Sequence, residues 1–408
     1  MAHLVIVGAS YAGTQLALAA RELGFDGEVT MVGEEPHAPY QRPPLSKGFL
    51  SSKIDASSLP LQSQARFDEE RIVLKAGVSA QAIDRTHREL SLSDGERIRY
   101  DHLALTTGAR CRQLQCDGAR LAQVHYLRNL ADACAIKASA GVSRRAVVVG
   151  GGFIGLEVAA CLCALGLEVT VVEMQGRLLE RAVPPLVSTF LLGVHEARGV
   201  TFRMGSQIAR ICGADAVTGI ELETGEHLAA DMVVAGLGVV PNVELASGCG
   251  LAVDNGIVVN SFGRTSDASI VAAGDCASYP NPWADDTGKC VRVESIQSAN
   301  DLAKAAAATI AGVPAPYDAV PWFWSDQYAY KLQMAGFSRG HDTTVVRGSP
   351  DEGRFTALYL RDGRLIGADS VNRPQDHMAV RRLLAARIHP GEGVLADETV
   401  ALKSLLPV

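Results

Sequence analysis

Positive charge is scarce in this 408-residue chain, which has 38 lysines and arginines against 45 aspartates and glutamates and a formal net charge of -7. This balance disfavours non-specific binding to nucleic acid or to an anionic membrane. Long apolar runs are also missing, since stretches such as VAACLCALGL stay well below the roughly 18 residues that span a bilayer. Leu4 already enters a strand, with no basic and apolar leader before it. The sequence therefore predicts a cytoplasmic protein that binds neither nucleic acid nor membrane.

Clusters of metal-ligating residues are lacking as well. None of the ten histidines lies near another histidine or a cysteine at ligand spacing, which gives no support for structural zinc or a four-cysteine iron–sulfur cluster. The nine cysteines are odd in number, and their close pairs, Cys111/Cys116 and Cys161/Cys163, are interpreted as free thiols in a reducing compartment. We predict no metal site, so any iron–sulfur centre would belong to a partner.

Two segments of the chain resemble each other. They are HLVIVGASYAGTQLALAARELGFDGEVTMVGEE, which starts at His3, and AVVVGGGFIGLEVAACLCALGLEVTVVEMQ, which starts at Ala146. Each reads as a strand, a glycine turn, a helix, a second strand and an acidic residue. The apolar runs at residues 4–7 and 146–149 are typical of strands buried on both faces of a parallel sheet. The sequence predicts a βαβ unit that is used twice.

The second glycine loop fits the dinucleotide fingerprint G-x-G-x-x-G at Gly150, Gly152 and Gly155, and Glu173 ends the next strand 18 residues after Gly155. The three glycines allow a tight turn, close approach of a pyrophosphate and close packing of helix on strand. Glu173 is placed to accept hydrogen bonds from the adenosine ribose and to repel the extra phosphate of NADP. We predict NADH as the substrate, with a preference that Arg177 would soften.

The first loop, VIVGASYAG at residues 5–13, is one residue short of two motifs. Ser10 stands where the dinucleotide fingerprint has its second glycine, and Ala12 stands where the nucleophile elbow G-x-S-x-G has its last. The serine of a nucleophile elbow follows a strand in the middle of a sheet that earlier strands have already formed. Only one predicted strand precedes Ser10 in this sequence. Glu34 ends the following strand 21 residues after Gly13, which favours a cofactor loop over an elbow or a purely structural turn. Two dinucleotide sites in one chain predict FAD paired with NAD(P)H.

The chain changes character from residue 313 onward. A junction rich in proline and aromatic residues, GVPAPYDAVPWFWSDQ, precedes a predicted hairpin, FTALYLRDGRLIGADSV, whose Asp362-Gly363 is a favoured two-residue turn. A predicted helix with Arg381 and Arg382 follows. We predict a discontinuous FAD-binding domain of residues 1–108 and 236–312, an NAD-binding domain of residues 109–235, and a C-terminal domain of residues 313–408.

Eight short motifs carry a resemblance over essentially the whole chain: PYQRPPLSK, TTGAR, GGGFIGLE, GLGVVPN, AAGDCA, VESIQSA, PWFWSDQ and SVNRP. With these, the chain resembles the FAD-dependent ferredoxin reductases of bacterial cytochrome P450 and ring-hydroxylating oxygenase systems, the family of putidaredoxin reductase and rhodocoxin reductase. The resemblance implies an α/β fold like that of glutathione reductase, with two Rossmann-type dinucleotide-binding domains and a C-terminal α+β domain.

The resemblance also implies the residues that bind the cofactors. Those for NAD are Gly150, Gly152, Ile154, Gly155, Glu173 and Gly238. Those for FAD are Gly8, Ser10, Ala12, Gly13, Glu34, Arg42, Lys47, Val78, Thr107, Gly108, Arg128, Asp275, Ile296 and Trp324. Glu34 is expected on the adenosine ribose and Asp275 on the ribityl chain. Arg42 is expected near the pyrophosphate, and Trp324 beside the flavin, although residue type alone leaves a core tryptophan open.

Lys47 and Glu157 resemble the pair that lies near the flavin N5 and the nicotinamide pocket in this family, and with Trp324 they form the predicted catalytic set. A buried cation near N5 would stabilise the anionic reduced flavin, and Glu157 would keep that cation paired. From residue type alone, Lys47 is a solvated surface charge. The stretch RPPLSKGFL lacks the redox-active cysteine pair of flavin disulfide reductases, and the His-x4-Glu pair of that group is missing near the end of the chain.

The reaction implied by the resemblance is hydride transfer from NADH to FAD, followed by two single-electron transfers to a small acidic [2Fe-2S] ferredoxin that supplies a P450 or oxygenase. Lys304 and Arg381 match positions that face the ferredoxin, although as bare charges they read as solvated surface residues. The family favours a monomer. Two alternatives stay open: an NADH-dependent reductase or oxidase of a small acceptor, and a flavoprotein of the apoptosis-inducing-factor type that acts through partners.

Overall fold

The computed structural model describes residues 1–284 and 290–407; residues 285–289 and 408, which belong to the predicted FAD-binding and C-terminal domains, lie outside the described residues. The chain divides into two compact units. Unit 1 comprises Met1–Gln41, Leu59–Arg110 and Val240–Phe323. Unit 2 comprises Arg42–Ser58, Cys111–Val239 and Trp324–Val408. The boundaries of the three predicted domains stay a prediction.

The α-helices of the described residues are α1 (Tyr11–Glu22), α2 (Gln64–Glu69), α3 (Leu130–Ala140), α4 (Phe153–Ala164), α5 (Pro185–Glu196), α6 (Glu244–Gly248), α7 (Ile296–Ile310), α8 (Pro374–Ala385) and α9 (Glu392–Ala396). Short 3₁₀ turns lie at Pro43–Ser46, Ala56–Ser58 and Leu402–Leu405. Among the described helices, none combines the length and the apolar character needed to cross a bilayer.

The strands are β1 (His3–Val7), β2 (Glu28–Gly33), β3 (Ile72–Ala76), β4 (Ala80–Asp84), β5 (Glu89–Leu92), β6 (Arg97–Arg99), β7 (His102–Leu105), β8 (Ala109–Cys111), β9 (Val124–Tyr126), β10 (Arg145–Val149), β11 (Glu168–Glu173), β12 (Thr201–Met204), β13 (Ile208–Gly213), β14 (Val217–Leu222), β15 (His227–Ala229), β16 (Met232–Ala235), β17 (Val239–Pro241), β18 (Ile257–Val258), β19 (Ile270–Ala272), β20 (Ala277–Pro280), β21 (Cys290–Val291), β22 (Trp322–Gln327), β23 (Tyr330–Gly336), β24 (Thr343–Ser349), β25 (Arg354–Arg361) and β26 (Arg364–Val371).

Unit 1 is built on a parallel five-stranded sheet with the order β19-β7-β1-β2-β3. The first predicted βαβ unit is β1-α1-β2, in which Val5 lies opposite Thr30 in parallel register. Strand β1 is buried from Leu4 to Val7, as its continuous apolar run predicts. Helix α1 packs along α7, and the many buried alanines of both helices allow their backbones to come close. An antiparallel sheet, β4-β5-β6, adds to this unit.

Unit 2 repeats the same design with a parallel sheet in the order β12-β11-β10-β16-β9. The second predicted βαβ unit is β10-α4-β11, with Val147 opposite Thr170. Helix α4 packs on β10 and β11, and its buried apolar side chains form one core with those of the sheet. The predicted α/β fold with two dinucleotide-type sheets is therefore confirmed.

Unit 2 also holds most of a sheet with the order β22-β23-β26-β25-β24, in which β23, β26, β25 and β24 are antiparallel neighbours. The predicted hairpin joins β25 to β26 through Asp362 and Gly363, whose φ angles are 51° and 71°. Two positive φ angles are the signature of the type I′ turn that the Asp-Gly pair favours. The predicted helix with Arg381 and Arg382 is α8, which packs on β26.

Candidate active site

The first glycine loop, in unit 1, leaves no room for a side chain at two positions. Gly8 has φ +115°, and a Cβ there would lie 2.1 Å from the Thr106 carbonyl oxygen. A Cβ on Gly13 would lie 2.0 Å from the Gly8 carbonyl oxygen. These contacts close the turn between β1 and α1 and bring helix and strand together, which are the roles of the first and third glycines of a dinucleotide loop.

Ser10 occupies the middle position of this loop without backbone strain. Its φ of -143° and ψ of -156° are extended, and its side chain makes no cap hydrogen bond to α1. The equivalent Gly152 is also extended, with φ -79°, and a Cβ on it would meet nothing within 4 Å. The second position thus does not need positive φ, and the relaxed backbone of Ser10 is unlike the strained turn of a nucleophile elbow. Neither Ser10 nor Gly152 caps the first turn of its helix with a side-chain hydrogen bond. The backbone N–H groups of these first turns can therefore donate to a pyrophosphate.

Other predicted FAD residues of unit 1 meet at the ends of the same strands. Glu34 follows β2 directly and is exposed, and the Val78 N–H donates to the Gly33 carbonyl at 3.0 Å. A Cβ on Gly274 would lie 3.0 Å from that of Ala12, which places Asp275 beside the start of α1. Acidic residues thus lie at both the β2 end and the α1 end of this loop region. Ile296, another predicted FAD residue, is the first residue of α7.

Thr107 and Gly108 are fixed by a residue that the sequence reasoning missed, Asn242. The Thr107 hydroxyl donates to the Asn242 carbonyl at 2.6 Å, and the Asn242 amide nitrogen donates back to the Thr107 carbonyl at 2.8 Å. The Asn242 N–H also donates to the Gly108 carbonyl at 2.9 Å. Asn242 ends the motif GLGVVPN, but 135 residues separate it from Thr107, so no local pattern indicated the contact.

The second glycine loop, in unit 2, has the same close contacts. Gly150 has φ +106°, and a Cβ there would lie 2.4 Å from the Gly236 carbonyl oxygen. A Cβ on Gly155 would lie 2.1 Å from the Gly150 carbonyl oxygen. Ile154, at the first turn of α4, is 44% exposed, and Gly238 has φ +81° with open space around its Cβ position. The fingerprint glycines therefore sit in a loop whose shape fits a dinucleotide.

Glu173 is held against this loop by two backbone donors. The Gly151 N–H donates to Glu173 Oε2 at 2.6 Å, and the Gln175 N–H donates to Oε1 at 2.7 Å. Since a carboxylate has about four acceptor positions, two remain for ribose hydroxyls. Arg177 directs its guanidinium elsewhere, to the carbonyls of Val183 at 2.6 Å and Glu180 at 2.7 Å. This geometry gives no support to Arg177 as a ligand of an NADP phosphate.

Lys47 and Glu157 form a buried ion pair in unit 2. Lys47 Nζ lies 2.7 Å from Glu157 Oε2, and the Glu157 side chain is 2% exposed. The same oxygen accepts a hydrogen bond from Ser46 Oγ at 2.5 Å, and Oε1 accepts one from Ser325 Oγ at 2.6 Å. Glu157 lies on α4, one turn after the start of this helix at the second glycine loop. The lysine is therefore not a solvated surface charge.

Two further predicted FAD residues of unit 2 lie together. Arg42 Nη1 donates to the Arg128 carbonyl at 2.7 Å, just before α3, whose capping box is formed by Asn129 and Asp132. The Arg128 N–H donates to the same Asp132 carboxylate at 2.8 Å. Trp324 lies on β22 and is half-buried, so it is not part of a closed core.

The thiol nearest the ion pair is not set up for disulfide chemistry. Cys161 Sγ donates to the Ser46 carbonyl at 3.2 Å, and burial, with a smaller effect of Glu157, raises the pKa of Cys161 to about 11. A reactive cysteine needs a lowered pKa because the thiolate is the nucleophile. All nine cysteines are free thiols, among them Cys111 and Cys116, whose pKa values are raised by burial.

The two predicted partner-binding cations lie on different helices. Lys304, on α7, is 56% exposed and lies 3.6 Å from Asp301 of the same helix. Arg381, on α8, is half-buried. The ion pair between Lys304 and Asp301 is weak because it lies at the surface and is screened by solvent. The Lys304 ammonium is therefore accessible to a partner. The role of both residues stays a prediction.

Comparison with known proteins identifies the family. Residues 2–309 match the model of the pyridine nucleotide-disulphide oxidoreductases, and residues 322–406 match that of a reductase C-terminal domain. The chain belongs to the pyridine nucleotide-disulphide oxidoreductase family. Its segment RPPLSKGFL contains no cysteine.

Individual relatives match over nearly their whole length. The chain is 46% identical to rhodocoxin reductase of Rhodococcus erythropolis, over 98% of this chain and 93% of the relative. Among solved structures, it is similar to the ferredoxin reductase of the CYP199A2 system from Rhodopseudomonas palustris, with a TM-score of 0.96, 40% identity and 99% of both chains covered. It is also similar to the reductase in the covalent putidaredoxin reductase–putidaredoxin complex, with a TM-score of 0.95, 39% identity, and 99% and 98% covered. The resemblance predicted from the motifs is confirmed.

Proposed function

We propose that this chain is an FAD-dependent NADH:ferredoxin oxidoreductase that supplies electrons to a cytochrome P450 or a ring-hydroxylating oxygenase through a [2Fe-2S] ferredoxin. FAD, when bound, takes up the hydride of NADH and passes electrons on one at a time. The observation that carries the proposal is the buried Lys47–Glu157 pair on a helix that begins at a dinucleotide loop. The likeness to a reductase solved in complex with putidaredoxin supports the choice of a ferredoxin as acceptor.

The residues of the chain supply binding and electrostatics. Gly8 and Gly13 shape the loop that would hold the FAD pyrophosphate, and Gly150 and Gly155 do the same for NADH. Because α4 carries both the NADH loop and Glu157, one rigid helix fixes the distance between the pyrophosphate and the carboxylate that holds Lys47. The Lys47 ammonium would favour negative charge on the reduced flavin.

Charge and cysteine content support proposals about the partner contact and the cellular compartment. The acidic chain must offer a local cation to an acidic ferredoxin, and Lys304 and Arg381 are proposed for that contact. Nine free thiols support a reducing compartment, the cytoplasm. We also propose that the protein acts as a monomer.

The test is a reconstituted electron-transfer assay. The FAD-loaded protein is mixed with NADH, cytochrome c and putidaredoxin as the probe ferredoxin, and cytochrome c reduction is followed. We expect putidaredoxin, or another [2Fe-2S] ferredoxin, to accelerate cytochrome c reduction well above the rate without ferredoxin. If no [2Fe-2S] protein raises turnover above the oxidase rate of the flavin alone, the protein is instead a reductase of a small acceptor or an NADH-binding protein that acts through partners.

A further inference from the structure

A chain of hydrogen bonds continues from Glu157 into the interior of unit 2. Ser325 Oγ donates to Glu157 Oε1 at 2.6 Å, and Gln327 Nε2 donates to Ser325 Oγ at 3.1 Å. Gln327 Oε1 lies 2.9 Å from His195 Nε2. The chain thus links three separate elements, α4, β22 and α5, to the carboxylate that pairs with Lys47.

Every bond in this chain has a fixed direction. An ionised carboxylate only accepts, so the Ser325 hydroxyl must donate to it, which leaves the serine oxygen to accept from the Gln327 amide. The Gln327 carbonyl then faces His195 Nε2, which must carry the proton. The remaining ring nitrogen, Nδ1, accepts from the Tyr328 hydroxyl, 3.3 Å away. All donors therefore point toward Glu157.

The members of the chain are shielded from water. Ser325 and His195 are 0% exposed and Gln327 is 1% exposed. Burial lowers the pKa of His195 below its usual value, which favours the neutral ring. The Gln327 carbonyl at Nε2 and the Tyr328 hydroxyl at Nδ1 then select the tautomer. A buried polar network with every member satisfied holds one arrangement of its side chains, because an unpaired group is costly there.

The outer end of the chain is held by a residue in an unusual backbone conformation. Tyr328 has φ +55° in the turn between β22 and β23, a conformation that non-glycine residues rarely adopt. The Arg198 guanidinium lies 4.2 Å from the centre of its ring, and the His195 ring meets it edge-on with a centroid separation of 5.0 Å. These contacts fix the tyrosine where its hydroxyl reaches Nδ1.

We propose that Ser325, Gln327 and His195 are positioning residues, which lock the Glu157 carboxylate in one rotation and so hold the Lys47 ammonium in place for reaction at the flavin. Lys47 and Ser46 both bind Oε2, and the Ser325 bond to Oε1 adds a restraint on the other oxygen that opposes rotation of the carboxylate about its own axis. The inference rests on the function proposed above, because Lys47 acts on the flavin in that proposal.

The test compares two substitutions of Ser325 in the FAD-loaded protein. Rapid mixing with NADH measures the rate of flavin reduction, and a redox titration measures the flavin midpoint potential. Ser325→Ala removes the donor to a buried charge, and we expect flavin reduction to slow roughly 10-fold or more. The midpoint potential should move in the same direction as in Lys47→Ala. Ser325→Thr keeps a hydroxyl and should restore both values toward those of the wild type.

Ser188→Ala is the matched control. Ser188 is also buried, at 2% exposed, and its hydroxyl donates to the Leu178 carbonyl at 2.7 Å, away from Glu157. We expect this variant to change neither the reduction rate nor the potential, although its thermal stability falls. Should Ser325→Ala bind FAD poorly, Gln327→Leu keeps the serine and removes the next donor, and it is expected to shift the potential in the same direction.

The outcomes separate this inference from the proposed function. If Ser325→Ala and Gln327→Leu behave like Ser188→Ala while Lys47→Ala slows flavin reduction, the positioning role is refuted. If Lys47→Ala itself changes neither rate nor potential, the inference falls with the role of Lys47. If the Ser325 effects and the threonine rescue appear but no ferredoxin accepts electrons, the positioning role stands and the ferredoxin function is refuted.

Discussion

Replacing Glu157 with glutamine should destabilise unit 2 by roughly 3 kcal/mol. Removing one partner of a buried ion pair costs about 3–5 kcal/mol, and the lower end applies because the Lys47 side chain is still 21% exposed. A glutamine cannot satisfy the site in either orientation, since Lys47 and Ser46 donate to one carboxylate oxygen and Ser325 donates to the other. With the amide nitrogen at the Oε2 position, it faces the Lys47 ammonium, which only donates. With the nitrogen at the Oε1 position, the Ser325 oxygen can accept from it, but the serine then loses the acceptor for its own proton.

Urea denaturation and thermal unfolding of the apo-protein measure this cost without a contribution from bound FAD. For a unit of this size the expected loss corresponds to a melting temperature lowered by roughly 6–12 °C. Glu168→Gln, at the exposed start of β11, is the control and should stay within about 0.5 kcal/mol of the wild type. A Glu157→Gln variant as stable as this control would show that the carboxylate is not held as an ionised acceptor.

A double-variant comparison sharpens the test. Lys47→Met combined with Glu157→Leu removes both charges and replaces them with apolar side chains, which is often neutral for a buried pair. The double variant should therefore recover most of the stability that Glu157→Leu alone loses. If the two single losses instead simply add, the two side chains are not energetically coupled, and the reasoning about the pair is refuted.

Three further predictions concern the cofactor loop, cofactor choice and pH. Gly155→Ala should abolish NADH binding in a fluorescence titration, since its Cβ would lie 2.1 Å from the Gly150 carbonyl oxygen. Gly193→Ala is the control, because a Cβ there meets nothing within 4 Å, and it should stabilise α5 by about 0.5–1 kcal/mol. With Glu173 at the ribose position, kcat/KM for NADH should exceed that for NADPH by roughly 100-fold, and equal values would exclude that role. Burial raises the pKa of Asp369 to about 7, so the folded state binds its proton more tightly than the unfolded state and stability falls as pH rises from about 4 to 7. Asp369→Asn should therefore gain roughly 3 kcal/mol over the wild type between pH 5 and pH 8 in urea denaturation, and parallel stability curves would contradict this.

The sequence alone was enough to place both βαβ units and the C-terminal hairpin. Their signals are local: apolar runs, glycines at fixed offsets, and the Asp362-Gly363 turn all lie within one supersecondary unit. The family motifs also indicated Lys47 and Glu157, although residue type alone favoured a surface lysine. Ser10 shows the limit of a local pattern, because only its φ of -143° shows that the loop accepts a side chain without strain.

Contacts between distant parts of the chain needed the tertiary structure. Glu157 and Ser325 are 168 residues apart, and His195 and Gln327 are 132 residues apart, so no periodicity or spacing connects them. The direction of the Arg177 guanidinium likewise depends on which loop carbonyls fold back to meet it. By itself the sequence determined the two βαβ units with their glycine loops, the C-terminal hairpin and the family. Only the tertiary structure decided which buried donors surround the Glu157 carboxylate, because a buried charge takes its partners from whatever the packed elements bring within hydrogen-bond distance.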